Sequence, residues 1–168
     1  MATINQAYGS YTALAVTALQ SMASSATVGW GSTRVDNQSS VKALDYELHV
    51  KLTTANTAPA NDKAMYIYIN PSITTDGGTT WIESDQGTTT LPTATDAAST
   101  IASPNNLKLL GVLNYTTQQM ICQGNFLLSN AVGQYMPDGF TVIIVNFSGA
   151  ALSTSCVVAY RAITNTVA

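Results

Sequence analysis

A chain of 168 residues with a formal net charge of −3 and only 9% charged side chains is long enough to bury a core of its own without disulfides or metals. Its 6 lysines and arginines are scattered, which excludes a nucleic-acid backbone as partner, because phosphate binding needs clustered cations. A surface of neutral Thr, Ser, Ala and Asn has little charge repulsion to keep monomers apart, so it suits a protein packed against copies of itself or a partner.

Residues 1–23 read as an N-terminal arm or short helix. Met1 to Ser10 has no period. Tyr11, Leu14, Ala15, Ala18, Leu19 and Met22 fall at helical spacing, whereas Thr12, Val16 and Thr17 are poor helix formers, and an extended arm is the alternative. Tyr11 to Met22 is too short and too polar to span a bilayer, and no signal peptide is visible, so no membrane association is expected and the chain is expected to be made in a cytoplasm.

Residues 24–168 read as a β-sandwich domain. Gly29-Trp30-Gly31 presents a large side chain where the backbone bends. In Leu44 to Leu52 the residues Leu44, Tyr46, Leu48, Val50 and Leu52 point one way, and Asp45, Glu47, His49 and Lys51 the other, the pattern of a half-buried antiparallel strand. Ala64 to Asn70 is a second strand, with Met65, Ile67 and Ile69 opposed to Tyr66 and Tyr68, and Pro71 should end it. Residues at about 73–104 are rich in turn signals and read as an exposed flap, within which Thr79 to Glu83 can pair as a short strand around Trp81. Leu107 to Leu113 and Tyr115 to Leu128 supply further strands.

Phe140 to Phe147 is a bounded apolar run, and Cys156 to Ile163 alternates, with Ser148, Gly149 and Ala150 breaking the chain between them. The two read as a core hairpin carrying Phe140, Val142, Ile144, Val158 and Tyr160. Seven or eight short strands separated by turns predict an all-β, antiparallel two-sheet sandwich resembling a jelly roll.

No constellation predicts an enzyme. His49 is the single histidine, and one His without companions cannot build a zinc site. Asp45 and Glu47 share its strand face through ordinary alternation, without a second pair converging on them. Asp76-Gly77-Gly78 reads as a turn before it reads as a calcium loop. Cys122 and Cys156 sit in apolar settings, where a free thiol behaves as a small hydrophobe. No metal and no cofactor are expected. Tyr11 and Leu14 on the arm, with Trp30, Tyr66, Tyr68 and Trp81, are candidate anchors for an interface, and stacking on sugar rings is the competing use of such aromatics.

Ala18 to Asn37, ALQSMASSATVGWGSTRVDN, resembles an opening found in small virion proteins of tailed bacteriophages, where a Ser- and Ala-rich run leads through a Gly-Trp step to Val-Asp-Asn. DKAMYIY at Asp62 to Tyr68, NLKLLGV at Asn106 to Val112 and MPDGFTVIIVNFSGA at Met136 to Ala150 are similar to later stretches of the same group in the same order. Two positions depart, Phe140 for a usual Trp and Met136 for Leu, both apolar replacements. The resemblance implies a non-enzymatic structural protein of the virion: a jelly-roll cement or decoration protein, homo-oligomeric with a trimer favoured over a dimer, and partnered by the major capsid protein. A carbohydrate-binding or host-attachment module of a tail structure is the alternative it leaves, as is a neck or tail component.

Overall fold

Leu48, Val50 and Leu52 point into the protein from strand β5 (Asp45–Thr53) with no exposed surface, while Glu47, His49 and Lys51 alternate with them on a half-buried outer face. That alternation makes β5 the middle of one wall of a sandwich. The computed structural model describes residues 4–38, 42–60, 63–83, 95–101 and 107–167. Around β5 the first sheet runs β1 (Ile4–Tyr8), β12 (Val157–Val167), β5 and β10 (Ile121–Leu127), and β2 (Thr12–Ala13) adds to β12. The second sheet runs β7 (Trp81–Glu83), β6 (Ala64–Thr74), β11 (Gly139–Phe147), β3 (Val28–Gly31) and β8 (Ala97–Thr100), with β4 (Val35–Asp36) on β11 and β9 (Lys108–Asn114) on β6.

Every strand pair is antiparallel. The chain crosses between sheets from β2 to β3, β4 to β5, β5 to β6, β9 to β10, β10 to β11 and β11 to β12. First and last strands lie side by side, β1 on β12, and the two antiparallel sheets pack as a sandwich. The single helix among the described residues, α1 (Ser129–Val132), is one turn after β10. Phe140, Val142 and Ile144 meet Leu48, Val50, Leu52 and Val158 in one core with Trp30 and Ile67.

β11 and β12 are not the hairpin the apolar pattern predicts, because they belong to opposite sheets. β11 is buried on both faces and needs a neighbour along each edge: β6 pairs along one, and β3 and β4 along the other. Ile143 and Val145 on its outer face lie under Ile101 and Leu107, with Tyr66 and Tyr68 beside them. The connection from β11 to β12 crosses the end of the sandwich and is held by polar bonds. The Asn146 amide donates to Ala150 O at 2.8 Å, and Ser148 Oγ donates to Asn146 Oδ1 at 2.6 Å. Gly149 has φ +84, and a Cβ there would come within 2.5 Å of Ala60 N, so only glycine fits this crossing. Phe140, Val142, Ile144 and Val158 are buried, and Tyr160 is partly buried edge-on to Tyr46 and Phe140.

The stripe at Tyr11 to Met22 does not form a helix. Val16 O accepts from Leu19 N and Gln20 N, both at 3.1 Å. This single turn ends at Ser21, whose φ is 58. β-Branched neighbours disfavour continuing it, and the apolar residues Leu14, Leu19 and Met22 are buried from this turn and the irregular chain on either side of it instead. Met1 to Ser10 contains the edge strand β1, whose residues are exposed except for the half-buried Ala7. Such a strand is held by its backbone ladder to β12 and leaves no period to read.

Other differences are local. Leu44 precedes β5 and is 53% exposed. Pro71 does not end β6, which runs to Thr74. It falls where β6's edge partner changes from β9, ending at Ile69↔Lys108, to β7, beginning at Ser72↔Glu83. Parts of the expected flap are docked, since β7 and β8 pair with the second sheet. Residues 84–94 and 102–104 of that stretch lie outside the described residues.

Asp96 fastens the start of β8 to two other segments. Its carboxylate accepts from Thr17 N at 2.8 Å, Ala18 N at 3.1 Å and Trp30 Nε1 at 2.7 Å. Burial pushes its proton affinity up, but these donors together hold the carboxyl below its ordinary value. A depressed carboxylate contributes stability above its unfolded value of about 3.9 and loses it as pH falls through the lower folded value. Asp96→Asn should therefore be less stable than wild type at neutral pH by about 1–3 kcal/mol, the worth of bonds to a charged acceptor. Urea unfolding at pH 7 and pH 3 checks it: the gap between the two proteins should narrow at the lower pH, and a constant gap refutes the ionised latch.

Candidate functional site

The polar face of β5 becomes a site through register. β12 places Arg161 opposite Glu47, and β10 places Leu127 opposite Glu47 and Asn125 opposite His49. Arg161 Nε donates to Glu47 Oε2 at 2.7 Å, and an Nη lies 2.5 Å from the same oxygen. The guanidinium sits 4.8 Å from the Tyr8 ring centre and 4.9 Å from that of Tyr11, so two aromatic rings and a carboxylate hold it in one orientation. Asn125 Nδ2 donates to Glu47 Oε1 at 2.9 Å, and Asn125 Oδ1 lies 2.7 Å from His49 Nδ1. Because the amide oxygen can only accept, His49 Nδ1 carries the proton and donates it. Tyr11 stands edge-on to His49, ring centres 6.1 Å apart.

Burial raises the proton affinity of Glu47, but hydrogen bonds from Arg161, Tyr11 and Asn125 outweigh it and hold the carboxyl below its usual value. The Tyr11 hydroxyl is pushed up, first by burial and then by Glu47. An ionised carboxylate and a neutral phenol therefore persist near neutral pH. Beside them an open depression of about 330 Å³ is lined by Tyr8, Glu47, Asn125, Phe126, Leu127 and Arg161.

Asp45 does not join Glu47. It accepts from Ser129 N at 3.1 Å and Ser129 Oγ at 2.6 Å and so anchors the start of α1. Asp76 is spent on its own turn, accepting from Thr80 N at 2.7 Å and Thr79 N at 3.1 Å. No group of three or more potential metal ligands occurs among the described residues. Comparison with protein-family models, with curated proteins and with solved structures finds no match for the chain. No helix among the described residues is long and apolar enough to cross a membrane. Cys122 and Cys156 are free and buried, and burial pushes both thiols up, away from the reactive thiolate.

The six anchors expected from sequence separate into different roles. Leu14, 8% exposed, and Trp30, fully buried, are core residues and are corrected as interface anchors. Trp30 turns inward because Gly29 faces outward, where Ile101 Cδ1 lies 2.3 Å from the position a Cβ would take. Trp81 is partly buried, with Arg34 4.4 Å over its ring and Nε1 donating to Gly78 O at 2.9 Å. Arg34 is also paired with Glu83. Tyr11 belongs to the Arg161 cluster. Tyr66 and Tyr68 stack on the outer face of the second sheet, ring centres 6.4 Å apart. They pair across strands with Val112 and Leu109, which are 40% and 50% exposed.

Tyr8, Asn125 and Arg161 were not singled out by sequence. Arg161 interrupts an apolar alternation at an outward position, which is a signal, but nothing short of the strand register joins it to Glu47.

Proposed function

We propose that the protein is a structural component of a tailed-phage particle, a homo-oligomeric decoration or cement protein that contacts the major capsid protein. The particle comes from the resemblance of four ordered sequence stretches. The observation that carries a packing role is the aromatic and aliphatic face of the second sheet, where Tyr66 and Tyr68 lie beside exposed Val112 and Leu109. A chain with only 9% charged residues offers little electrostatic attraction, so contact is through apolar area and multiplied by oligomeric copies. The sandwich supplies a rigid plate for that face.

The test mixes tagged protein with particles lacking it and measures occupancy after sedimentation. Wild type should bind, and moderate salt should change occupancy far less than the roughly thousandfold losses typical of multiple phosphate contacts. Leu109→Glu and Val112→Glu alter exposed positions, so both should fold and lose most of their occupancy. Undiminished binding by both variants rejects this face. Failure of wild type to bind particles rejects the role.

A further inference from the structure

We propose that the depression on the outer face of the first sheet is a binding site for a neutral pyranose sugar. This inference does not rest on attachment to a particle. A pyranose presents an apolar C–H face and a rim of hydroxyls that both donate and accept. The site offers the complement: the Tyr8 ring, 56% exposed, with Leu127, 39% exposed, as apolar surface, and three planar polar groups beside them.

Those polar groups are held in place before any ligand arrives, and Arg161 and Asn125 keep spare donors. Arg161 commits Nε and one Nη to Glu47 out of five donors. Asn125 commits one of its two amide hydrogens to Glu47 and its oxygen to His49. The Arg161 and Glu47 side chains retain 28% and 14% of their exposure, so both are reachable from solvent. Neighbouring hydroxyls can accept from Arg161 and Asn125, which Glu47 holds in fixed geometry, at little ordering cost.

Charge selects the class. The Arg161 cation is already paired with Glu47, so the site as a whole is neutral and has no unpaired cation for a phosphate, sulfate or uronate. A nucleotide or acidic sugar is therefore disfavoured against a neutral one.

Saturation-transfer NMR on the full chain, with D-glucose, D-galactose and N-acetyl-D-glucosamine as probes and D-glucuronate as the anionic control, tests this directly. At least one neutral sugar should receive saturation, with a Kd on the order of 1–10 mM, as expected for a single shallow monosaccharide site. Asn125→Ala and Tyr8→Ala lie at exposed positions, and each should weaken binding at least tenfold while leaving the far-ultraviolet circular dichroism unchanged. Transfer to none of the neutral sugars, transfer that survives both substitutions, or transfer to glucuronate alone overturns the proposal. Particle occupancy is read separately, so failure here and failure of the capsid role are distinguishable.

Discussion

Ile144→Asp is expected to yield no folded protein. Ile144 is fully buried at the centre of β11, between Ile67 on β6 and Trp30 on β3, and its side chain belongs to the core between the sheets. Its core neighbours among the described residues are apolar, and burying an unpaired carboxylate there costs several kcal/mol even when it takes up a proton. Total stabilities of domains are about 5–15 kcal/mol, so this loss, added to that of the isoleucine packing, removes most or all of the margin. Ile144→Val is the control, keeping shape and polarity, and should cost about 0.5–1.5 kcal/mol. Circular dichroism and thermal melting of the two variants decide the matter: an aspartate variant melting within a few degrees of wild type would remove β11 from the core.

Trp30→Ala should be the next most damaging change, at about 3–5 kcal/mol for a large aromatic deleted from a packed core. Trp30 is fully buried, and its indole N–H is one of three donors to Asp96. Its loss leaves a cavity and weakens the tie between β3, the segment at Thr17 and Ala18, and the start of β8. Trp30→Phe restores most of the volume without the donor and should recover more than half of the loss. If Trp30→Ala melts like wild type, the indole is dispensable to the core and to the Asp96 tie.

Within strands, side-chain facing was legible from residue order, although Leu44, just before β5, falls outside the pattern. In β5 the alternation of Leu48, Val50 and Leu52 with Glu47, His49 and Lys51 was legible because burial follows a period of two. The unbroken apolar run of β11 was legible as a buried strand because it is short, bounded and rich in β-branched and aromatic residues. Enough such segments, separated by turns, determined an all-β two-sheet architecture.

Strand neighbours were not legible in any local stretch. β11 and β12 looked like a hairpin because they are adjacent in sequence and both apolar, yet the ladder bonds that assign them to opposite sheets are made by backbone groups common to every residue. β1 carried no pattern at all, since its pairing to β12 buries almost no side chain. The candidate site was divided in the same way: Glu47 and His49 could be placed on one face, Tyr11 was legible as a candidate anchor on the arm, and nothing marked Tyr8. Arg161 is 114 residues from Glu47 and Asn125 is 78 from it. Their meeting depends on the register of three strands, and register is set by the loops and the closed core together rather than by any local stretch of residues.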